Sequence, residues 1–205
     1  MKNSANTRHT FVVVAMAIAS LLAAGCASPP ARDIVNYDFG IATSPQNPRI
    51  GSDLMVADVQ APAWMENTGI FYRLAYADAA RPQAYANSRW IMPPAGLLTQ
   101  RLRAVLRASS KAAVVSPGDG ARTDLVLRVD LDEFTQVFDA TERSRGVLRA
   151  SARLLKGREV LATRVFSIEL PAASANAEGG ARALASASDS LGNQLADWIA
   201  ANTRR

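Results

Sequence analysis

Residues 125–132 read Leu125-Val126-Leu127-Arg128-Val129-Asp130-Leu131-Asp132 and determine the kind of fold that this chain adopts. The odd positions are all apolar, and three of the four even positions are charged. A period of two predicts a β-strand with one buried face and one face in water. The alternation slips at Glu133-Phe134, which predicts a β-bulge at that point.

Two later segments repeat this alternation. Residues 148–154 and 160–168 place apolar or small side chains at alternate positions, and Lys156-Gly157 forms a tight turn between them. Three such segments in succession predict an antiparallel three-stranded meander with one face in water.

The first half of the chain contains shorter strand patterns. Residues 70–76 alternate with a period of two, and residues 54–59 are apolar enough for a buried strand that stops at Ala61-Pro62. Further short strands are predicted at residues 37–39, 83–86 and 111–115.

Two helices are predicted from apolar stripes with helical spacing. The first begins at Pro93-Pro94, because proline suits the start of a helix, and Arg101 lies off its stripe. The second follows a loop of small residues at 172–180. The stripe residues are Ala95, Leu98, Leu102 and Val105 in the first helix, and Leu184, Leu191, Leu195 and Trp198 in the second. The sequence therefore predicts a single α+β domain with two main helices on one face of an antiparallel or mixed sheet.

The N-terminus has the pattern of a secretory signal. Lys2 and Arg8 precede an apolar run at residues 11–24, which is shorter than the ~20 residues that a spanning helix needs. Residues 21–26, Leu-Leu-Ala-Ala-Gly-Cys, resemble the bacterial lipobox, and this resemblance implies cleavage before Cys26 and a covalent lipid on that residue. We therefore predict a signal peptide at residues 1–25, a lipidated tether at 26–34 and a periplasmic domain at 35–205.

The residues after Cys26 indicate a location. In the sorting rule for bacterial lipoproteins, Asp directly after the cysteine retains the protein in the inner membrane, and here Ala27 and Ser28 follow. The resemblance therefore implies anchoring in the outer membrane, on its periplasmic face.

Composition excludes several functions. Removal of Lys2 and Arg8 with the signal leaves 21 of the 23 basic residues against 18 acidic ones, a net charge of +3 without a basic cluster, so we expect no nucleic-acid partner. The only histidine, His9, lies in the signal, and Cys26 is the only cysteine. Ser-His-Asp catalysis, cysteine nucleophiles and the usual zinc ligand sets are therefore excluded from the mature chain.

Carboxylate pairs are the remaining candidates for acid and base catalysis. Asp130, Asp132 and Glu133 lie close together, but the alternation places Asp130 and Asp132 on the wet face of a strand. Gly118-Asp119-Gly120 lacks the continuation of a phosphate-binding loop and is typical of a turn. We predict a protein that is not an enzyme and has no metal and no cofactor other than the lipid on Cys26.

A series of short motifs resembles a known family. The lipobox cysteine is followed by Tyr37-Asp38-Phe39, Trp64-Met65, Ile70-Phe71-Tyr72-Arg73, and Arg89-Trp90 before a helix. This order resembles the auxiliary lipoproteins of ABC-type transport systems, including the paraquat-inducible lipoprotein C group that works beside MCE proteins. Tyr37, Arg89 and Trp90 are the motif positions, and we expect a structural role for them.

The resemblance implies a transport role. It predicts a lipoprotein that docks a periplasmic MCE tunnel at the outer membrane, with an inner-membrane permease and an ATPase as further partners. A homo-oligomeric ring is compatible with such a tunnel. The alternative function is that of an envelope scaffold or regulator, a lipoprotein that activates a cell-wall enzyme and takes no part in transport.

Trp64 and Met65 are the candidate contact residues. They lie in a predicted loop, and Trp and Met are favoured in the cores of protein interfaces. We predict that they contact a partner or the membrane, and the alternative is that Trp64 folds back on the core.

Overall fold

The strands of this protein join into one mixed sheet, and two helices lie against one of its faces. The computed structural model describes residues 33–42 and 48–203. The strands in this part of the chain are β1 (Val35–Tyr37), β2 (Leu54–Val56), β3 (Gly69–Leu74), β4 (Asp78–Trp90), β5 (Val114–Val115), β6 (Leu125–Ala140), β7 (Arg143–Lys156) and β8 (Glu159–Pro171). The helices are α1 (Pro94–Ala108) and α2 (Ala177–Thr203). The predicted α+β class is confirmed.

The longest strand, β6, is paired along both edges. One edge runs antiparallel to β7 over the whole strand. The other edge is shared, because residues 125–127 pair in parallel with β2 and residues 136–138 pair in parallel with β3. An isolated bridge between Gln60 and Asp130 lies between these two partners. Strand β6 therefore joins the two parts of the sheet, β2–β5 and β3–β4–β1.

The meander β6–β7–β8 and the bulge in β6 are confirmed. The register of β6 against β7 shifts between Leu131 and Glu133. Before this shift the odd residues are buried, and after it Phe134, Gln136 and Phe138 are the residues that face the core. The bulge thus keeps apolar side chains on one face while the strand continues past an acidic pair.

The shorter strands differ from their predicted bounds. Strand β4 is 13 residues long, whereas the sequence predicts only four of them. The first part of the strand is solvent-exposed and has no apolar alternation, so its sequence gives no strand signal. Pro82 is tolerated there because this part of β4 pairs only with β3. The predicted strand at 54–59 ends at Val56, although Ala57 still donates its N–H to the Leu127 carbonyl at 3.0 Å. The predicted strands at 37–39 and 111–115 are Val35–Tyr37 and Val114–Val115.

Helix α2 lies close to the sheet and to α1 because it carries small residues on its buried side. A Cβ atom on Gly146 of β7 would lie 3.0 Å from the backbone of Ala183. At the contact between the helices, a Cβ atom on Gly192 would lie 2.8 Å from Cγ1 of Val105. The predicted stripe of α2, from Leu184 to Trp198, is buried.

The predicted signal peptide and Cys26 lie outside the described residues, as does most of the predicted tether. In the part that the structure does describe, neither helix combines the length and hydropathy of a membrane span.

Replacing Gly192 with alanine tests the close contact between α1 and α2. The added methyl group would overlap Val105, and we expect Gly192→Ala to lower the free energy of unfolding by about 1–3 kcal/mol in urea titration. Gly96→Ala is the matched control in α1, because there the new Cβ meets only the end of the flexible Met92 side chain. The control should be neutral or slightly stabilising, since alanine favours helix. Equal effects of the two substitutions would contradict a tight contact at Gly192.

Candidate functional site

Three chain segments meet at one end of the sheet. Strands β1 and β4 are parallel and pair Tyr37 with Trp90, so both end on the same side, where β3 begins. Trp90 donates its N–H to the Thr68 carbonyl at 2.8 Å, and Ile91 donates its N–H to the Tyr37 carbonyl at 2.9 Å. The exits of β1 and β4 and the entrance of β3 therefore form one continuous edge.

An aromatic cluster fills the core beneath this edge. The ring centroids of Phe39 and Trp90 are 5.5 Å apart, and each lies 5.7 Å from the centroid of Phe134. All three side chains are buried. Of the motif residues, Trp90 therefore has the expected structural position, Tyr37 is half-buried against the core, and Arg89 is exposed.

A buried arginine holds the chain that leaves β1. Arg101 of α1 donates from Nη2 to the carbonyls of Phe39 and Gly40, the latter at 2.8 Å. Its Nη1 lies 3.0 Å from Oδ1 of Asp189 on α2. The sequence pattern placed Arg101 off the buried stripe, whereas only 3% of its side chain is exposed. We call this arrangement the Arg101 clamp, because one guanidinium joins α1, α2 and the chain after β1.

Trp64 and Met65 lie in a single turn of 3-10 helix, Ala63–Met65, just before β3. Met65 is completely buried, so the prediction that it is an exposed contact residue is wrong. Consecutive residues of a 3-10 turn point about 120° apart, so Met65 can enter the core while Trp64 stays at the surface. Trp64 is 37% exposed and packs edge-on against Phe71, with centroids 5.2 Å apart. Its role as a contact residue stays a prediction.

Two open grooves lie on either side of Phe39 and Gly40. The larger, of about 550 Å³, separates residues 36–41 from the exposed side of α2. The smaller, of about 240 Å³, lies between the same segment and α1. Small side chains of α2, Ala181 and Ala185, leave the larger groove open. These grooves are shallow surface features beside the Arg101 clamp.

The face of the sheet opposite the helices carries ion pairs. Arg153 lies 2.5 Å from Asp130, Arg73 lies 3.2 Å from Glu133, and Asp132 accepts a hydrogen bond from Ser151 at 2.8 Å. Each carboxylate of the candidate acidic group thus has a partner on a neighbouring strand. In the described ranges, no three His, Cys, Asp or Glu residues are grouped as metal ligands.

Asp139 and Tyr85 are among the described titratable groups whose pKa values are shifted. The hydrogen bond from Arg145 holds the pKa of Asp139 below its usual value, and burial raises the pKa of Tyr85 far above its usual value. Tyr85 is therefore a neutral donor, and its hydroxyl lies 2.8 Å from Oε1 of the buried Gln136. Gln136 in turn donates to Ser144 at 2.7 Å. This chain of bonds satisfies polar groups inside the core.

Residues 38–196 match the family described as the ABC-type transport auxiliary lipoprotein component. The chain belongs to this family. The resemblance of its short motifs to this family is therefore confirmed. In the words of the family description, the protein is an auxiliary lipoprotein component of ABC-type transport.

Two solved structures resemble this auxiliary lipoprotein. Protein XCC0632 from Xanthomonas campestris superposes with a TM-score of 0.71 at 22% sequence identity, over 82% of this chain and 96% of that one. A second crystal structure, of an uncharacterized protein, gives a TM-score of 0.63 at 17% identity, over 82% and 99% of the two chains. At such identities the likeness concerns the fold alone. No curated protein matches the sequence.

Sequence patterns missed the Arg101 clamp and two exposed aliphatic side chains, Ile41 and Ile91. Both isoleucines are more than half exposed and lie at the exits of β1 and β4. A single aliphatic residue directly after Gly40 or two residues before Pro93 interrupts no period. The available signal is the position of each residue shortly after a strand, near a glycine or proline.

Removing the arginine tests the clamp. We expect Arg101→Met to cost about 3–5 kcal/mol in the free energy of unfolding, because it leaves Asp189 and two carbonyls without this buried partner. Arg182→Met is the control, since Arg182 and Glu178 form an exposed pair within α2. The control should cost less than about 1 kcal/mol. Urea titration of the mature protein measures both, and a small loss in both variants would refute the clamp.

Separate alanine substitutions distinguish the two residues of the 3-10 turn. Met65→Ala should cost about 2–5 kcal/mol, because it leaves a cavity in the core. Trp64→Ala should cost clearly less than Met65→Ala, because Trp64 is 37% exposed and its removal leaves no closed cavity in the core. Thermal and urea unfolding measure the difference. If Trp64→Ala proves as costly as Met65→Ala, Trp64 belongs to the core and is not a contact residue.

Proposed function

We propose that this auxiliary lipoprotein is anchored in the outer membrane, faces the periplasm, and docks the tunnel of an MCE-type lipid transport system. The observation that carries the proposal is the family match over residues 38–196, which includes nearly all of the helices and strands. The family description supports the lipid anchor at Cys26, and the short motifs before α1 support the MCE group.

The short tether supports a role at the membrane surface. Seven residues, 27–33, separate the lipidated cysteine from the start of the folded unit at Ile34. A flexible chain of this length spans about 15 Å on average. A domain held so close to the bilayer is suited to receive a tunnel that ends there, whereas a scaffold that reaches into the cell wall would need a longer tether.

A binding role agrees with the chemistry of the domain. The mature sequence has no histidine and no second cysteine, and the acidic group on the sheet is engaged in bonds between strands. Such a face presents fixed charges of both signs, which is suited to selecting a partner by complementary charges. We therefore propose that the protein acts by docking and not by catalysis.

Capture of partners from the envelope tests the proposed function. The lipidated protein, purified with a tag at its C-terminus, is incubated with detergent-solubilised envelopes, and bound proteins are identified by mass spectrometry. We expect an MCE protein together with its permease and ATPase. Recovery of a cell-wall synthase instead would favour the scaffold alternative, and recovery of neither would contradict both.

Replacing the cysteine tests the anchor separately. Cys26→Ser removes the thiol that would carry the lipid, so we expect an unlipidated protein that fractionates away from the outer membrane. Two acyl chains or more hold a protein stably on a bilayer, and their loss should release it. Mass spectrometry of the intact protein and membrane fractionation measure the effect. Normal retention of the variant in the outer membrane would contradict lipid anchoring at Cys26.

A further inference from the structure

We propose that three exposed apolar residues at the strand ends, Ile41, Trp64 and Ile91, form a second membrane contact. We call them the strand-end rim. The rim would enter the interfacial region of the bilayer that holds the lipid anchor and so orient the domain. This inference rests on the proposed anchoring through Cys26.

The rim residues are exposed although the aromatic cluster beneath them is buried. Ile41 is 98% exposed and Ile91 is 56% exposed, whereas Phe39, two residues before Ile41, and Trp90, directly before Ile91, are buried. Leaving large aliphatic side chains in water forgoes the free energy of burying them. Several such side chains at one place on a surface are typical of a site of contact.

The fold itself brings the rim together. Ile41 follows Gly40, whose φ of +63° turns the chain away from the core. Ile91 lies next to that chain because its N–H bonds to the Tyr37 carbonyl. Trp64 lies in the 3-10 turn that precedes the neighbouring strand β3, and its ring contacts Phe71 of that strand. The three side chains thus belong to three adjacent segments of one sheet end.

The chemistry of the rim fits a lipid surface. Tryptophan is enriched where membranes meet water, and aliphatic side chains gain free energy by entering the acyl boundary. Arg89 is exposed on the strand that leads into Ile91, and it adds a positive charge for anionic headgroups. Two carboxylates, Asp38 and Glu66, are also exposed at this end of the sheet, so lipid contact would depend on the apolar side chains.

The short tether is the reason to propose the bilayer, and not another protein, as the surface that the rim contacts. Residues 26–33, when extended, span at most about 29 Å. Only six residues, 35–40, separate Ile34, where the folded unit begins, from Ile41 in the rim. The tether is therefore long enough for the lipid on Cys26 and the rim to enter the same leaflet. Once the lipid holds the protein on the bilayer, the rim is at a high effective concentration near the membrane surface, and this favours a second, weak contact.

Tryptophan fluorescence can measure whether the rim contacts lipid. Of the chain's three tryptophans, Trp90 and Trp198 are buried, so lipid quenchers reach Trp64 selectively. The lipidated mature protein is reconstituted in vesicles of phosphatidylethanolamine and phosphatidylglycerol, with either ordinary or brominated acyl chains. We expect brominated chains to remove the larger part of the Trp64 emission, and Trp64→Phe to abolish that loss.

Two variants test the geometry. Ile41→Gln with Ile91→Gln should keep the protein on the vesicles and the thermal midpoint unchanged, but should reduce the quenching of Trp64. Tyr76 is exposed in the turn between β3 and β4, at the opposite end of β3. In a Trp64→Phe background, Tyr76→Trp should therefore show no additional quenching.

The outcomes separate this inference from the proposed function. Flotation with the vesicles but equal Trp64 emission in both lipids overturns the rim while leaving the anchor intact. Equal quenching at position 76 overturns it as well, because it shows contact without orientation. Failure of the wild-type protein to float overturns the anchor, and the inference falls with it. Capture of the MCE partner is measured independently of all three outcomes.

Discussion

The pairing of β6 on both edges is the constraint on which the rest of the domain depends. The strand has 16 residues, and the other described strands are linked to it either by direct pairing or through a series of paired strands. The bulge after Leu131 lets the strand continue without turning charged side chains into the core. The helices then need to cover only one face, and the small residues of α2 let it approach that face closely.

The position of β3 on β6 also determines what lies at the strand ends. Because β3 pairs with residues 136–138, its start and the ends of β4 and β1 lie together over Phe134. The chain leaving β1 must then cross between α1 and α2, where its carbonyls would be buried. Arg101 satisfies two of them and is itself neutralised by Asp189. A buried charge is tolerated here because it has several partners.

Much of this fold is predictable because its alternation is present in the side chains themselves. The meander β6–β8, the bulge and the stripe of α2 all follow from local periods of two or 3.6 residues. Strand β4 was largely missed because most of it is exposed and nothing in its sequence alternates. The Arg101 clamp could not be predicted, since its partners lie 61, 62 and 88 residues away. Met65 was misplaced because a loop pattern does not tell which residue of a turn faces inward.

Anchoring and docking impose different demands on one small domain. The proposed lipid anchor would keep the domain near the bilayer, but an anchor on its own does not determine which surface faces the periplasm. In our proposal the strand-end rim supplies that orientation, and the turn between β3 and β4 then points away from the membrane. A docking surface with a fixed orientation meets an incoming tunnel more often than one that rotates freely, because less orientational freedom is lost on binding. A few exposed apolar side chains at the strand ends would thus strengthen partner capture without touching the partner.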